Sequence, residues 1–222
     1  MGSITRSLSN NITTSGVILP AGITNSSVSA VTSFANAAAA GTLTLLSTQT
    51  ASASANISFT TGLDSTYDEY IFKFINIHPA TDSAYFQFNG STDSGSNYNV
   101  TKTTTFFRAV NAEDDSEAHV DYITSDDLAQ STSYQPLVHN GAIGNLSDEN
   151  ACGTLTLFNP SSTTYVKHFI CTSSSTHNGN YELNSFIAGY FNTTSAINAI
   201  NFQMASGNID DGIIKLYGVK KS

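Results

Sequence analysis

The sequence predicts an all-β protein: a jelly-roll-like β-sandwich over residues 43–222, preceded by an extended N-terminal arm over residues 1–42. Three observations predict it. From residue 43 onward, runs of Val, Ile, Thr, Phe and Tyr recur at strand length, and these residues suit a pleated, half-buried surface. Gly, Asn and Pro clusters such as Gly62-Leu63-Asp64, His78-Pro79-Ala80, Asn89-Gly90, Asn159-Pro160 and Asn178-Gly179-Asn180 punctuate those runs as turns. No long stretch repeats apolar residues at helical spacing, so the elements must bury one another as sheets.

The arm comes first. Val17-Ile18-Leu19 runs into Pro20, which stops any strand or helix there. Ser33 before Phe34–Ala40 and Gly41 offers an N-cap and a C′ glycine, but seven residues make a marginal helix alone. The arm is therefore expected to order on a neighbouring copy or a partner surface.

The strands follow at Leu43–Ser47, Ala55–Thr60, Glu69–Ile77, Ala84–Asn89, Thr103–Ala109, Ala118–Ile123, Gly153–Phe158, Tyr165–Thr172, Tyr181–Phe191, Ala199–Met204 and Ile213–Val219. The stretch 70–77, YIFKFINI, places Tyr70, Phe72 and Phe74 on one face and Ile71, Ile75 and Ile77 on the other. Such a strand is expected in mid-sheet with both faces covered, the outer one by the arm or a neighbouring subunit. Residues 110–150 are the least regular and the richest in acid, and are expected to form long loops at one end of the sandwich. Asp126-Asp127 reads as a helix start, with acids at the positive end.

Only 11% of the chain is charged, and the net charge is −9. That balance argues against nucleic acid, whose phosphates need Lys and Arg. No apolar run is long enough for a transmembrane helix, so membrane insertion is not expected. MGSITRSLSNN lacks the apolar core of a signal peptide, and the expectation is a protein made without a secretory step.

Chemistry-bearing patterns are scarce. There is no Gly-x-Ser-x-Gly, phosphate loop, His-Glu-x-x-His or Cys-x-x-Cys. The five histidines, His78, His119, His139, His168 and His177, read as satisfied or surface residues. A glycosidase would need two facing carboxylates, and no predicted strand carries inward acids. No cofactor is expected. Calcium is the best metal candidate: Asn89, Asp93 and Asn97 sit in one tight loop, and Asp210-Asp211 lie between Gly207 and Gly212. Both stretches read more simply as turns, since Asp and Asn are turn residues and the order of an EF-hand is missing. Tyr67, Tyr98, Tyr122, Tyr134 and Tyr181 lie near loops, where they suit sugar stacking or subunit contact equally.

Cys152 and Cys171 flank a predicted hairpin turning at Pro160–Thr163. If Phe158 faces Tyr165, Cys152 faces Cys171 in a cross-strand pair, within disulfide reach. A chain made without a secretory step is expected to keep them as thiols.

Several stretches carry a resemblance: SITRSLSNNITTSGVI at 3–18, SFTTGLDSTYDEYIFKFINIHPATD at 58–82, SGSNYNVTKTTTFF at 94–107, TLTLFNPSSTTYVKHFI at 154–170, AGYFNTTSAINAINFQMASGNID at 188–210 and IKLYGV at 214–219. In these the chain resembles small β-rich virion structural proteins of marine tailed bacteriophages, of the cyanophage and pelagiphage kind. The resemblance implies a non-enzymatic virion protein and supplies no binding residues. Two places in a virion follow as expectations. One is a capsid decoration or cement protein, anchored to the major capsid protein by its arm and forming a homo-oligomer, with a trimer favoured. The other is a tail-fibre or host-recognition protein holding a host surface glycan in its loops.

Overall fold

A computed structural model describes residues 42–139 and 143–220. The expected arm and the short helix expected at Phe34–Ala40 lie outside the described residues, apart from Thr42. The rest is β throughout. Alternating burial along strands of the large sheet, near-continuous burial in the small one, and Gly, Asn and Asp between strands give twelve strands in two antiparallel sheets.

The strands are β1 (Leu43–Ser54), β2 (Ile57–Phe59), β3 (Glu69–Pro79), β4 (Phe86–Ser91), β5 (Lys102–Ala112), β6 (Ala118–Tyr122), β7 (Gln135–Pro136), β8 (Ala151–Phe158), β9 (Lys167–His177), β10 (Tyr181–Phe191), β11 (Ala199–Met204) and β12 (Ile209–Val219). The large sheet runs β1-β12-β3-β8-β9-β10-β5-β6, and the small one β2-β11-β4-β7. Within this order lies a jelly roll. β1 pairs with β12, β2 with β11, β3 with β8 and β4 with β7. These are the four rolled pairs of an eight-stranded double Greek key. Two hairpins interrupt it: β5-β6 follows the fourth rolled strand, and β9-β10 the sixth. They join edge to edge, through β10 and β5, and extend the large sheet into a wing beyond β8.

The core is largely phenylalanine. Phe72, Phe74 and Phe169 of the large sheet meet Phe202, Phe86 and Phe88 of the small one, with ring centroids 5.1–5.4 Å apart. Such pairs add roughly 0.5–1.5 kcal/mol each beyond their buried area. Small residues let the layers close. A Cβ on Gly189 would lie 2.8 Å from both the Phe169 ring and the Thr103 carbonyl.

Four expectations are corrected. First, Ile77 does not share the outer face of β3 with Ile71 and Ile75. A bulge at Ile75-Asn76, with Asn76 at φ 52°, reverses the alternation, so Ile77 joins Tyr70, Phe72 and Phe74 inside. Ile75 is left exposed and Ile71 half-buried. Second, β12 begins at Ile209, so Asp210 and Asp211 belong to a bulged strand and not to a turn. Gly212, at φ 138°, takes up the irregularity. Third, Asp126-Asp127 starts no helix. Fourth, the cysteines do not face each other. The β8–β9 connection is longer than expected, so Leu157 pairs with Phe169, Cys152 with Ser174 and Cys171 with Leu155. That offset of three positions puts Cys171 in the core and Cys152 on the outer face, both as free thiols.

Candidate functional site

The described residues bring together no set of three or more His, Cys, Asp or Glu able to hold a metal. The calcium candidates separate accordingly. Asn89 is buried and turned toward Lys102, whose Nζ donates to its Oδ1 at 2.6 Å. The Asn89 amide donates to the carbonyls of Tyr98 and Thr132. Asp93 lies in the exposed loop and already accepts from the Ser91 hydroxyl, the Asn97 backbone N–H and the Asn97 side-chain amide at 2.6–2.9 Å. These bonds, from Ser91 first and then Asn97, hold its carboxyl down at about 2. The loop is thus a self-capped turn. Asp210 stands 3.7 Å from His78, and Asp211 accepts the Gly212 N–H.

Among the described residues, motif reading missed two buried cations, Lys167, which donates to the Thr193 carbonyl, and Lys102. Lys102 sits near the Phe191 ring, donates to Asn89 and to the Val100 carbonyl, and burial pushes its ammonium down to about 7. Its signal was parity: Lys102 and Thr104 alternate in phase with Phe106, an inward aromatic, so the lysine had to point inward as well.

The wing holds most of the remaining polar chemistry. On its inner face Arg108 of β5 meets Asp121 of β6 at 3.1 Å. His119 lies between Glu117 at 3.2 Å and Asp121 at 3.5 Å. An inward acid therefore does occupy a strand, contrary to expectation, but Arg108 and not a second carboxylate faces it. Opposite, His139 Nδ1 is 2.7 Å from the buried Asp126 carboxylate. His177 is held below its ordinary range by burial, then by the charges of His139 and Arg108. A hollow of about 160 Å³ opens among Arg108, His119, His177 and Tyr181. At the hairpin tips a second hollow, of about 370 Å³, is lined by Glu113, Asp114, Ser116, Asn180 and Tyr181. The Glu113 N–H bonds to the Asn180 carbonyl, so the two hairpins brace each other there. Carboxylates, an amide and one aromatic ring in an open hollow suit a polyhydroxylated ligand.

Of the loop tyrosines, Tyr67 packs on the core beside Tyr70 and Tyr134 bonds to Asn201. The Tyr98 hydroxyl is buried. Tyr122 is exposed with its hydroxyl on Asp127 at 2.6 Å, and Tyr181 lines both hollows. His168 lies on the outer sheet face beside Tyr190, and His78 reaches the Leu146 carbonyl.

No protein-family model, curated protein or solved structure matches this chain. The fold and these sites are therefore what bears on its class, a jelly-roll sandwich with an added wing.

Proposed function

We propose that the protein is a non-enzymatic bacteriophage virion structural protein, a capsid decoration or cement subunit anchored by residues 1–42. The observation that carries this reading is the distribution of exposed apolar side chains on a jelly roll without a catalytic constellation among its described residues. Among the described residues, eight of the ten large exposed hydrophobics lie on the outer face of the large sheet, as expected of a subunit that packs in an assembly. The resemblance in stretches such as IKLYGV, which lies in β12 between β1 and β3, supports the same reading.

The test is immunogold or cryo-electron imaging of purified particles. Copies at capsid lattice positions support decoration, and absence from particles overturns a virion role. A few copies at the tail support the second reading, host recognition through a surface glycan. The hollow of Asn180, Tyr181 and Asp114 at the hairpin tips favours that alternative.

A further inference from the structure

The large sheet's outer face is unlike the rest of the surface. Leu43 and Leu45 of β1, Ile75 of β3, Phe158 of β8, Ile170 of β9, Phe107 of β5, and Val120 and Tyr122 of β6 all stand on it. Among the described residues, only Leu146 and Tyr165 are large exposed hydrophobics placed elsewhere. Ile170 is 52% exposed and Leu45 53%, so these are not edges of the core showing through.

The registers join them into continuous rows. Leu45 pairs with Tyr217, Tyr217 with Ile71, Ile71 with Thr156, Thr156 with Ile170, Ile170 with Ala188 and Ala188 with Thr105. The next row runs from Thr48 through Lys215, Lys73, Thr154, Thr172 and Phe186 to Phe107 and Tyr122. Phe107 and Phe186 stack there at 4.9 Å. In both rows the only charges are Lys73 and Lys215, and the Lys73 ammonium lies 5.8 Å from the centre of the Tyr217 ring.

We infer that this face is covered by a second copy of the chain. Two arguments choose that occupant. The first is charge. The chain carries −9, so identical copies repel over most of their surfaces. The rows from Leu45 to Thr105 and from Thr48 to Tyr122 hold no acid, so like copies meet there without opposing carboxylates, and Glu69, beside Phe158, stands toward the end of the strands. The second is area. Eight strands about 4.8 Å apart, each giving roughly seven residues at about 3.4 Å, make a face of about 900 Å². A stable interface takes about 800 Å² from each partner. This rests on reading the protein as an assembly subunit and adds which surface does the assembling.

The test is sedimentation equilibrium of the full chain beside two variants. Phe107→Glu with Ile170→Glu places one carboxylate in each row of the face, and Tyr165→Glu changes an exposed apolar residue off it. The wild type and Tyr165→Glu are expected to associate, while the double variant shifts the midpoint concentration upward by roughly 100-fold or more. Circular dichroism checks that the variants fold. Should the double variant not fold, Thr105→Lys with Thr156→Lys tests the first row at polar positions. A wild type that stays monomeric at about 100 µM, where an interface of micromolar Kd is filled, overturns the inference, including the case in which residues 1–41 cover the face of their own chain. So does association that survives the substitutions. Particle imaging of the variants is read separately: loss of self-association with retained particle binding supports the interface, and absence of the wild type from particles counts against the virion reading alone.

Discussion

Lys102 offers the sharpest test of the interior. Its ammonium is buried, its side-chain hydrogen bonds go to neutral groups, Asn89 and the Val100 carbonyl, and burial alone pushes it from 10.5 to about 7. The folded state thus releases a proton that the unfolded chain keeps between pH 7 and 10.5. Stability from this group is least below pH 7 and rises through that window, since the unfolded state there binds more protons. The full drop corresponds to roughly 5 kcal/mol at about 1.4 kcal/mol per pH unit, an upper bound because the hydrogen bonds offset part of it. Lys102→Met keeps the length of the side chain and removes the titration. Urea unfolding of both proteins is measured at several pH values. The difference, wild type minus variant, is expected to grow by about 2 kcal/mol in the wild type's favour from pH 7 to pH 9. Histidines titrate equally in both proteins and cancel. A difference that stays flat from pH 6 to 9 refutes a buried, proton-releasing Lys102.

Other outcomes follow from the same packing. Phe202→Ala removes a ring shared by Phe59, Phe72, Phe86 and Phe88 and is expected to cost about 3–5 kcal/mol in chemical denaturation. Gly189→Ala forces a methyl against Phe169 and the Thr103 carbonyl and is expected to cost about 1–3 kcal/mol, read as a lower denaturation midpoint. Thiol labelling is expected to modify Cys152 in the native protein and Cys171 only after unfolding, because burial raises the Cys171 thiol far above its ordinary value. Unreactive cysteines in denaturant without reductant would reveal a disulfide instead. Asp93→Ala is expected to lower the Tm at pH 7, and calcium or a chelator to leave the wild-type Tm unchanged. The Asp93 contribution, from a lowered carboxyl, is present above about pH 4 and is lost as pH falls through about 2.

Within this chain, local pattern and tertiary packing decided different things. The residue patterns of Tyr181–Phe191 and Ala199–Met204 marked both strands to the residue, because strand-forming residue types and flanking turn residues are written locally. The same local signals placed the all-β class and most strand positions. Register was not local. The eight residues between Phe158 and Lys167 set which positions of β8 and β9 meet, and a shift of three moved Cys152 and Cys171 to opposite faces. The bulge at Asn76 was equally hidden, since alternation continues on paper through Ile75 and Ile77 while the backbone reverses it. The site chemistry followed the same division. Lys102 was legible in the parity of its strand, but its partner Asn89 lies on the other sheet, and only closing the sandwich brings them within 2.6 Å. Likewise Arg108, His119 and His177 come from three strands, and Asp126 and His139 from the loops on either side of β7. Sequence alone determined which segments could be strands and which faces were apolar. Folding decided which of those faces were buried and, among the described residues, left the large sheet's outer face open, because the smaller sheet can cover only one side of it.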